Sequence, residues 1–312
     1  MLTCRRPSRC RRNRKGDDAP VRRRPFVLIA IVLLGLAACQ RVEPWSDPNW
    51  RPATAPQRIV AASVLATEVL LAIAPRQRLA GVHVLAADPQ YSLVAAETKG
   101  MTLVGAEPEQ LLAARPDLVV CDPFTRPETL ALLAAAGVPV VMTNNPGSFA
   151  DIAKNVRRLG AVCHLEPAAE QLVATMEGRL RALEARANDV AAFAVLCIDG
   201  ALHTHGRPSL FDAMVTAAGA RNLASERGTG PFRKLSTEGV LAWRPDVLVL
   251  AETLAPNAAP EWLRQFEGVS LLPCIQNGRI VGIPAPLLGT TSHHLVEAAH
   301  ELQRRLLLWG RP

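Results

Sequence analysis

Seven histidines and seven cysteines are the side chains of this 312-residue chain best suited to hold a metal or attack a substrate. His203 and His205 stand two apart, so on a strand they would share one face. Together with His293 and His294 they could hold zinc and leave a fourth position for water. An enzyme built on them would also need a base or a nucleophile. The chain has no His-Glu-x-x-His, no Gly-x-Ser-x-Gly elbow and no phosphate-binding glycine loop. His83 and Asp88 suggest a free zinc or manganese ion instead, but the loop at Ser63 offers no further His or carboxylate to close such a site. Cys121, Cys163, Cys197 and Cys274 show neither Cys-x-x-Cys nor a zinc-finger spacing. All but Cys163 sit in or beside apolar runs, which suits buried thiols, although export would also permit disulfides. The expectation is a protein without catalysis, without a metal of its own and without a cofactor. A zinc-dependent enzyme and a free-ion binder stand as the alternatives.

The segments that position these groups begin after an export signal. A basic stretch, an apolar run from Phe26 to Leu34 and the small residues Gly35-Leu36-Ala37-Ala38 precede Cys39, which is the order of a secretory signal peptide over residues 1–38. The apolar run is short of the roughly 20 residues a spanning helix needs. Leu36-Ala37-Ala38-Cys39 resembles the bacterial lipobox, which implies cleavage before Cys39 and lipid on it. The formal charge of +7 belongs to the signal, because residues 1–38 hold ten Arg and Lys against two Asp and leave the remainder about one unit negative. Such a body has no basic excess with which to attract nucleic acid. Residues 39–57, with Pro44, Pro48, Pro52 and Pro56 and no apolar period, read as lipid anchor and tether. The folded part is therefore expected outside the cytoplasm, in a periplasm or at the cell surface, held to a membrane through Cys39.

From Arg58 onward, short apolar strands alternate with alanine- and leucine-rich helices, the pattern of a parallel α/β sheet. Strands are predicted at Ile59 to Ala62, Leu79 to Val84, Leu118 to Cys121 and Val138 to Met142. The alternation restarts at Phe193 to Ile198 and runs through Val247 to Leu250 and Ile280 to Ile283. Between the two sets, Ser148 to Leu159 and Pro167 to Asn188 read as helix, with Leu172, Met176, Leu180 and Leu183 at helical spacing. The predicted fold is two Rossmann-like lobes, 58–146 and 191–312, each a mostly parallel sheet with flanking helices. Residues 147–190 are linking helices, dominated by one long helix that joins the lobes. An internal repeat supports the division: Glu109 with Arg115-Pro116-Asp117 in the first lobe matches Glu238 with Arg244-Pro245-Asp246 in the second, each copy a short helix stopped before proline and followed by a buried strand.

In order and spacing these pieces resemble the ABC-transporter substrate-binding proteins with a helical backbone (class III), the family that captures cobalamin, iron-siderophores or haem. The resemblance covers residues 58–308. It rests on Arg58-Ile59-Val60-Ala61-Ala62-Ser63 with Thr67-Glu68-Val69-Leu70, on Leu79-Ala80-Gly81-Val82, on the repeat and the long helix, and on Leu210-Phe211-Asp212 through Gly219-Ala220-Arg221-Asn222-Leu223. It implies a monomer that binds a metal chelate between the carboxyl ends of its strands and delivers it to an ABC permease and its ATPase. Glu109 and Glu238 take the positions of the two surface glutamates that meet permease arginines, a contact that serves encounter and register. Ligand contacts then fall to loops after the strands. These are Ser63, His83, Tyr91 and Phe124 in the first lobe, and Arg207, Phe232 and Arg233 in the second. Tyr91, the only tyrosine, and His83 could ligate haem iron or pack a corrin ring. Phe124 and Phe232 could form apolar walls, and the arginines could meet carboxylates. With aromatic residues at only 4%, the identity of the chelate stays open.

Overall fold

The computed structural model describes residues 47, 49–190, 193–255 and 258–310; the predicted signal peptide and Cys39 lie outside the described residues. In the first lobe, β1 (Ile59–Ala61), β2 (Leu79–His83), β3 (Leu103–Val104), β4 (Leu118–Cys121) and β5 (Val140–Met142) form a parallel sheet of order β3-β2-β1-β4-β5. Ile59, Val60, Val119, Val120, Val140 and Val141 are all fully buried, as strands covered on both faces must be. The first helices are α1 (Val64–Ile73), α2 (Pro108–Ala113) and α3 (Pro127–Ala135). Ser63 caps α1 by accepting the Ala66 N–H at 3.2 Å, while Pro108 and Pro127 open the other two, where a missing N–H costs nothing.

The linking segment 147–190 holds the two predicted helices, Ser148 to Leu159 and Pro167 to Asn188, with slightly different bounds. α4 (Phe149–Cys163, 15 residues) and α5 (Glu166–Glu184, 19 residues) are separated by two residues, with His164 left-handed at φ 55°. They approach so closely that a Cβ on Gly160 would stand 2.4 Å from the Cβ of Ala169. One continuous apolar cluster runs from Ile59 and Val120 through Leu159 and Val173 to Val195 and Leu302. The lobes therefore share a core through these helices.

In the second lobe, β6 (Ala194–Cys197), β8 (Arg221–Asn222), β10 (Val247–Leu250) and β11 (Ile280–Gly282) form a parallel sheet of order β11-β10-β6-β8, and β7 (His203–Thr204) pairs antiparallel with β9 (Arg233–Lys234). The helices are α6 (Leu210–Ala217), α7 (Leu223–Glu226), α8 (Thr237–Trp243), α9 (Pro273–Gln276), α10 (Ala285–Leu288) and α11 (Leu295–Trp309).

The internal repeat has a physical basis. Arg115 and Arg244 are both left-handed, at φ 48° and 46°, and end α2 and α8. The following aspartates reach the central strand of each sheet. Asp117 accepts the N–H groups of Gln57 and Arg58 at 2.6 and 2.9 Å, and Asp246 accepts that of Ala194 at 2.8 Å. Each returns its own N–H to the same neighbour, Asp117 to the Arg58 carbonyl and Asp246 to the Ala194 carbonyl. Arg-Pro-Asp thus stops a helix and fastens its end to β1 or β6.

The expected tether differs from the structure. Its described part is bound to the linking helices: Arg158 donates to the carbonyls of Trp50 and Asp47 at 2.5 and 3.1 Å, Arg51 pairs with Glu166, and the His164 ring meets the Pro52 carbonyl at 2.9 Å. A proline-rich stretch without apolar period is still ordered where arginines supply partners for its bare carbonyls.

Candidate ligand site at the strand ends

Strand order reverses between β1 and β4 in the first sheet and between β6 and β10 in the second. At such switch points the loops after neighbouring strands part and leave a crevice at the carboxyl ends. Ser63 follows β1, His83 closes β2, and Asp122 and Phe124 follow β4; Asp199 follows β6. The sequence-nominated residues of the first lobe thus fall on loops along one edge.

Their roles there differ. Ser63 is buried and its hydroxyl is engaged as the α1 cap. The ring of His83 is half-buried and its Nδ1 accepts the Leu85 N–H at 3.3 Å, so the neutral ring carries its proton on Nε2 and presents a donor. Burial lowers the pKa of His83, against the opposing pull of Asp122, and keeps it neutral at physiological pH. Behind it stands Thr67, whose hydroxyl accepts the His83 N–H at 3.2 Å and donates to the Ser63 carbonyl at 2.9 Å. Tyr91 and Phe124 lie open to solvent at 55% and 77% exposure.

The second lobe builds a more specific feature. The Nδ1 of His203 lies 2.9 Å from Asp199 Oδ2, and the Nδ1 of His205 lies 3.0 Å from the Pro231 carbonyl. Both partners can only accept, so both Nδ1 atoms carry a proton, and in the neutral rings the Nε2 atoms hold the lone pair. Partial burial would raise the Asp199 carboxyl, but the His203 N–H, the His203 ring and the Ala201 N–H hold it below the usual carboxylate range. Phe232 stacks on His203 with centroids 4.7 Å apart and lies 5.6 Å from His205, yet is 61% exposed.

This hairpin is held from beneath. Gly206 donates to the Gly230 carbonyl at 2.9 Å, and a Cβ on Gly206 would lie 2.1 Å from the Thr229 carbonyl oxygen, so only glycine fits. Asn222 Nδ2 donates to the His205 carbonyl at 2.9 Å and to Asp212 at 3.1 Å. Arg207, nominated for the ligand, gives its Nε to the buried Asp212 at 2.9 Å while most of its side chain stays exposed. Arg233 lies exposed on β9.

The four histidines of the zinc alternative form two separate pairs. His293 and His294 lie 4.1 Å apart and half-buried at the start of α11, and among the described residues no three His, Cys, Asp or Glu side chains converge as a metal site. Cys121, Cys163, Cys197 and Cys274 are buried and free, and burial pushes each thiol up to about 12, so the disulfide alternative is not realised. Glu109 and Glu238 stand exposed in the first turns of α2 and α8. The Glu238 carboxyl is held below its usual range by its own N–H and by the Ser236 hydroxyl. Two surface cavities lie beside the strand-end loops, one lined by Thr253, Leu254 and Pro284 after β10 and β11 and the other by Arg207. The larger, about 940 Å³, runs along α11, where Glu301 already pairs with Arg304 and Arg305. The smaller, about 670 Å³, lies between α4, α5 and α6 and includes Arg207.

The model of the periplasmic binding protein family matches residues 59–287. The chain belongs to that family. Among curated proteins it is 22% identical over 259 residues, 79% of each chain, to the uncharacterized ABC transporter substrate-binding lipoprotein YvrC of Bacillus subtilis. Among solved structures it is 27% identical to the periplasmic heme-binding protein RhuT of Roseiflexus sp. RS-1, with a TM-score of 0.70 over 80% of this chain and 98% of that one. A periplasmic heme-binding protein of Pseudomonas aeruginosa is 25% identical, with a TM-score of 0.69 over 82% and 95%. These relatives are binding proteins, and the two-lobe α/β architecture of the family is the one described above. Among the described residues, no helix is long and apolar enough to cross a membrane.

Thr67, Asp199 and the Pro231 carbonyl are not among the residues nominated from the sequence for ligand contact. The spacing Asp199-x-x-x-His203 was a usable signal, since a carboxylate that fixes an imidazole tautomer is a common partner of a metal-binding histidine.

Proposed function

We propose that this protein captures a metal chelate, haem above cobalamin or a ferric siderophore, between its two lobes and delivers it to an ABC permease driven by its ATPase. The observation that carries the reading is the β7–β9 hairpin, where two imidazoles with Nδ1 fixed by acceptors offer Nε2 lone pairs beside an exposed phenylalanine. Iron takes such a nitrogen as an axial ligand, and a flat macrocycle takes the ring as a wall. In the first lobe Tyr91 supplies a phenol, Phe124 an apolar face and His83 an Nε2 donor, while Arg207 and Arg233 suit the carboxylates of such a ligand. The heme-binding names of the solved structures near 25% identity support haem as the first candidate. Lipid on Cys39 would keep the lobes close to the membrane, and Glu109 and Glu238 would meet the permease.

Absorbance titration of the purified protein with haemin, cobalamin and a ferric hydroxamate tests the choice. Haemin is expected to give a shifted Soret band with saturable binding, and His203→Ala with His205→Ala to change that band. Saturable binding of cobalamin or the hydroxamate without haemin binding would replace haem by that chelate. Binding of none would overturn the reading.

A further inference from the structure

We infer that Glu68 is a positioning residue through which the second lobe holds the Tyr91 loop of the first. Glu68 lies in α1 and is 1% exposed. Its two oxygens divide their work between lobes. Oε1 accepts the Ser92 hydroxyl at 2.7 Å and the Leu93 N–H at 3.2 Å. Oε2 accepts the hydroxyls of Thr290 and Ser292 at 3.0 and 2.6 Å. Ser92, Thr290 and Ser292 are themselves buried, at 3%, 6% and 0% exposure.

A buried carboxylate left short of donors is costly, so its four donors are held together as a set. Ser92 directly follows Tyr91, and both of their N–H groups close on the Asp88 carbonyl. Fixing the Ser92 hydroxyl therefore fixes the turn from which Tyr91 projects. Thr290 and Ser292 belong to the second lobe and lie just before α11, which packs on α6 of that lobe and on α5 of the linking pair. The neighbouring Thr67 holds the His83 N–H in the same way. Two adjacent residues of α1 thus set two loops of the first-lobe edge, and Glu68 alone of the two also reaches across to the second lobe.

The consequence is mutual. A shift of the second lobe that draws Thr290 and Ser292 away must loosen Ser92, and a ligand that fixes Tyr91 must steady the segment before α11. The inference draws on the proposed function only for the meaning of Tyr91; the tie itself exists without ligand.

Hydrogen exchange on the ligand-free mature protein tests it. The Thr290→Val/Ser292→Ala variant removes the second-lobe donors and leaves Glu68 and Ser92 in place. Amide exchange across residues 91–97 is expected to quicken by about tenfold, the effect of a lost buried hydrogen bond. The reciprocal Ser92→Ala is expected to quicken exchange at residues 290–294. Exchange changes confined to the mutated segment in both variants would overturn the inference and leave Glu68 a local structural residue. Should the double variant fail to fold, Ser292→Ala alone gives the same reading. Haemin affinity, measured in parallel, is expected to fall in both variants. If haemin does not bind the unaltered protein, the proposed ligand fails while the exchange result still decides the role of Glu68.

Discussion

Phe232 stacks on His203 with 4.7 Å between centroids and 30° between planes, and Nδ1 of the same imidazole is tied to Asp199. The stack leaves Phe232 mostly in solvent, so it contributes little to the core and much to the surface that a ligand would meet. Phe232→Ala should therefore leave thermal unfolding nearly unchanged while weakening haemin binding by about tenfold, the scale of one aromatic contact. Fluorescence quenching with haemin, beside a melting curve, separates the two effects. A large fall in melting temperature with unchanged affinity would assign Phe232 to the hairpin instead.

Gly160 and Ala169 set the spacing of the linking helices, with no room for a side chain on the glycine. Gly160→Ala should gain helix propensity of about 1 kcal/mol and lose more than that to overpacking, roughly 1–3 kcal/mol. Denaturant unfolding is expected to show net destabilisation. Ala169→Gly in the same chain should return part of it, because the clash is with that methyl group. A double-mutant cycle with no coupling would mean that the helices separate freely.

Burial, helped by His294 and Arg179, lowers the pKa of His293 from its ordinary 6.5 to about 3. The unfolded chain therefore binds a proton that the folded chain refuses across that window. Stability from this residue is complete above pH 6.5 and declines as pH falls toward 3. Carboxylates titrate in the same range, so the comparison must be with His293→Leu. That variant should show a pH slope of stability lower by up to about 1.4 kcal/mol per unit between pH 6 and 4.5. Parallel slopes for the two proteins would show that His293 is protonated equally in both states.

Much of the fold was legible because its signals are local. Runs such as Leu118 to Cys121 and Val247 to Leu250 are strands wherever they are buried, and Arg-Pro-Asp announces a helix stop in both lobes. Two-residue strands carry no such period, so the β7–β9 hairpin could not be read from His203 and Thr204. The tautomers of His203 and His205 depend on Asp199 and on a proline carbonyl 26 residues away. Glu68 shows the limit most clearly. Its helical position was plain, but its partners Thr290 and Ser292 lie more than 220 residues away, and no spacing rule reaches that far. The contacts of residues 47–52 escape the sequence for a related reason, since their carbonyls meet Arg158 in α4 and His164 just beyond its end.

Glu109 and Glu238 occupy matching places, each in the first turn of a helix that ends in a left-handed arginine and an aspartate fastened to the central strand. A first-turn acid is favoured by the helix dipole alone, so position by itself does not separate docking from helix stability. Charge reversal does. If the carboxylates serve only their helices, Glu109→Lys and Glu238→Lys should each lower stability by roughly 0.3–1 kcal/mol and leave uptake intact. If they meet permease arginines, the double variant should bind haemin as before and fail to support chelate uptake in cells that depend on this protein. The single variants should lose most uptake at low ionic strength, where the charge pairs are least screened and contribute most to encounter. Normal uptake by the double variant at normal protein levels would remove both glutamates from the docking face.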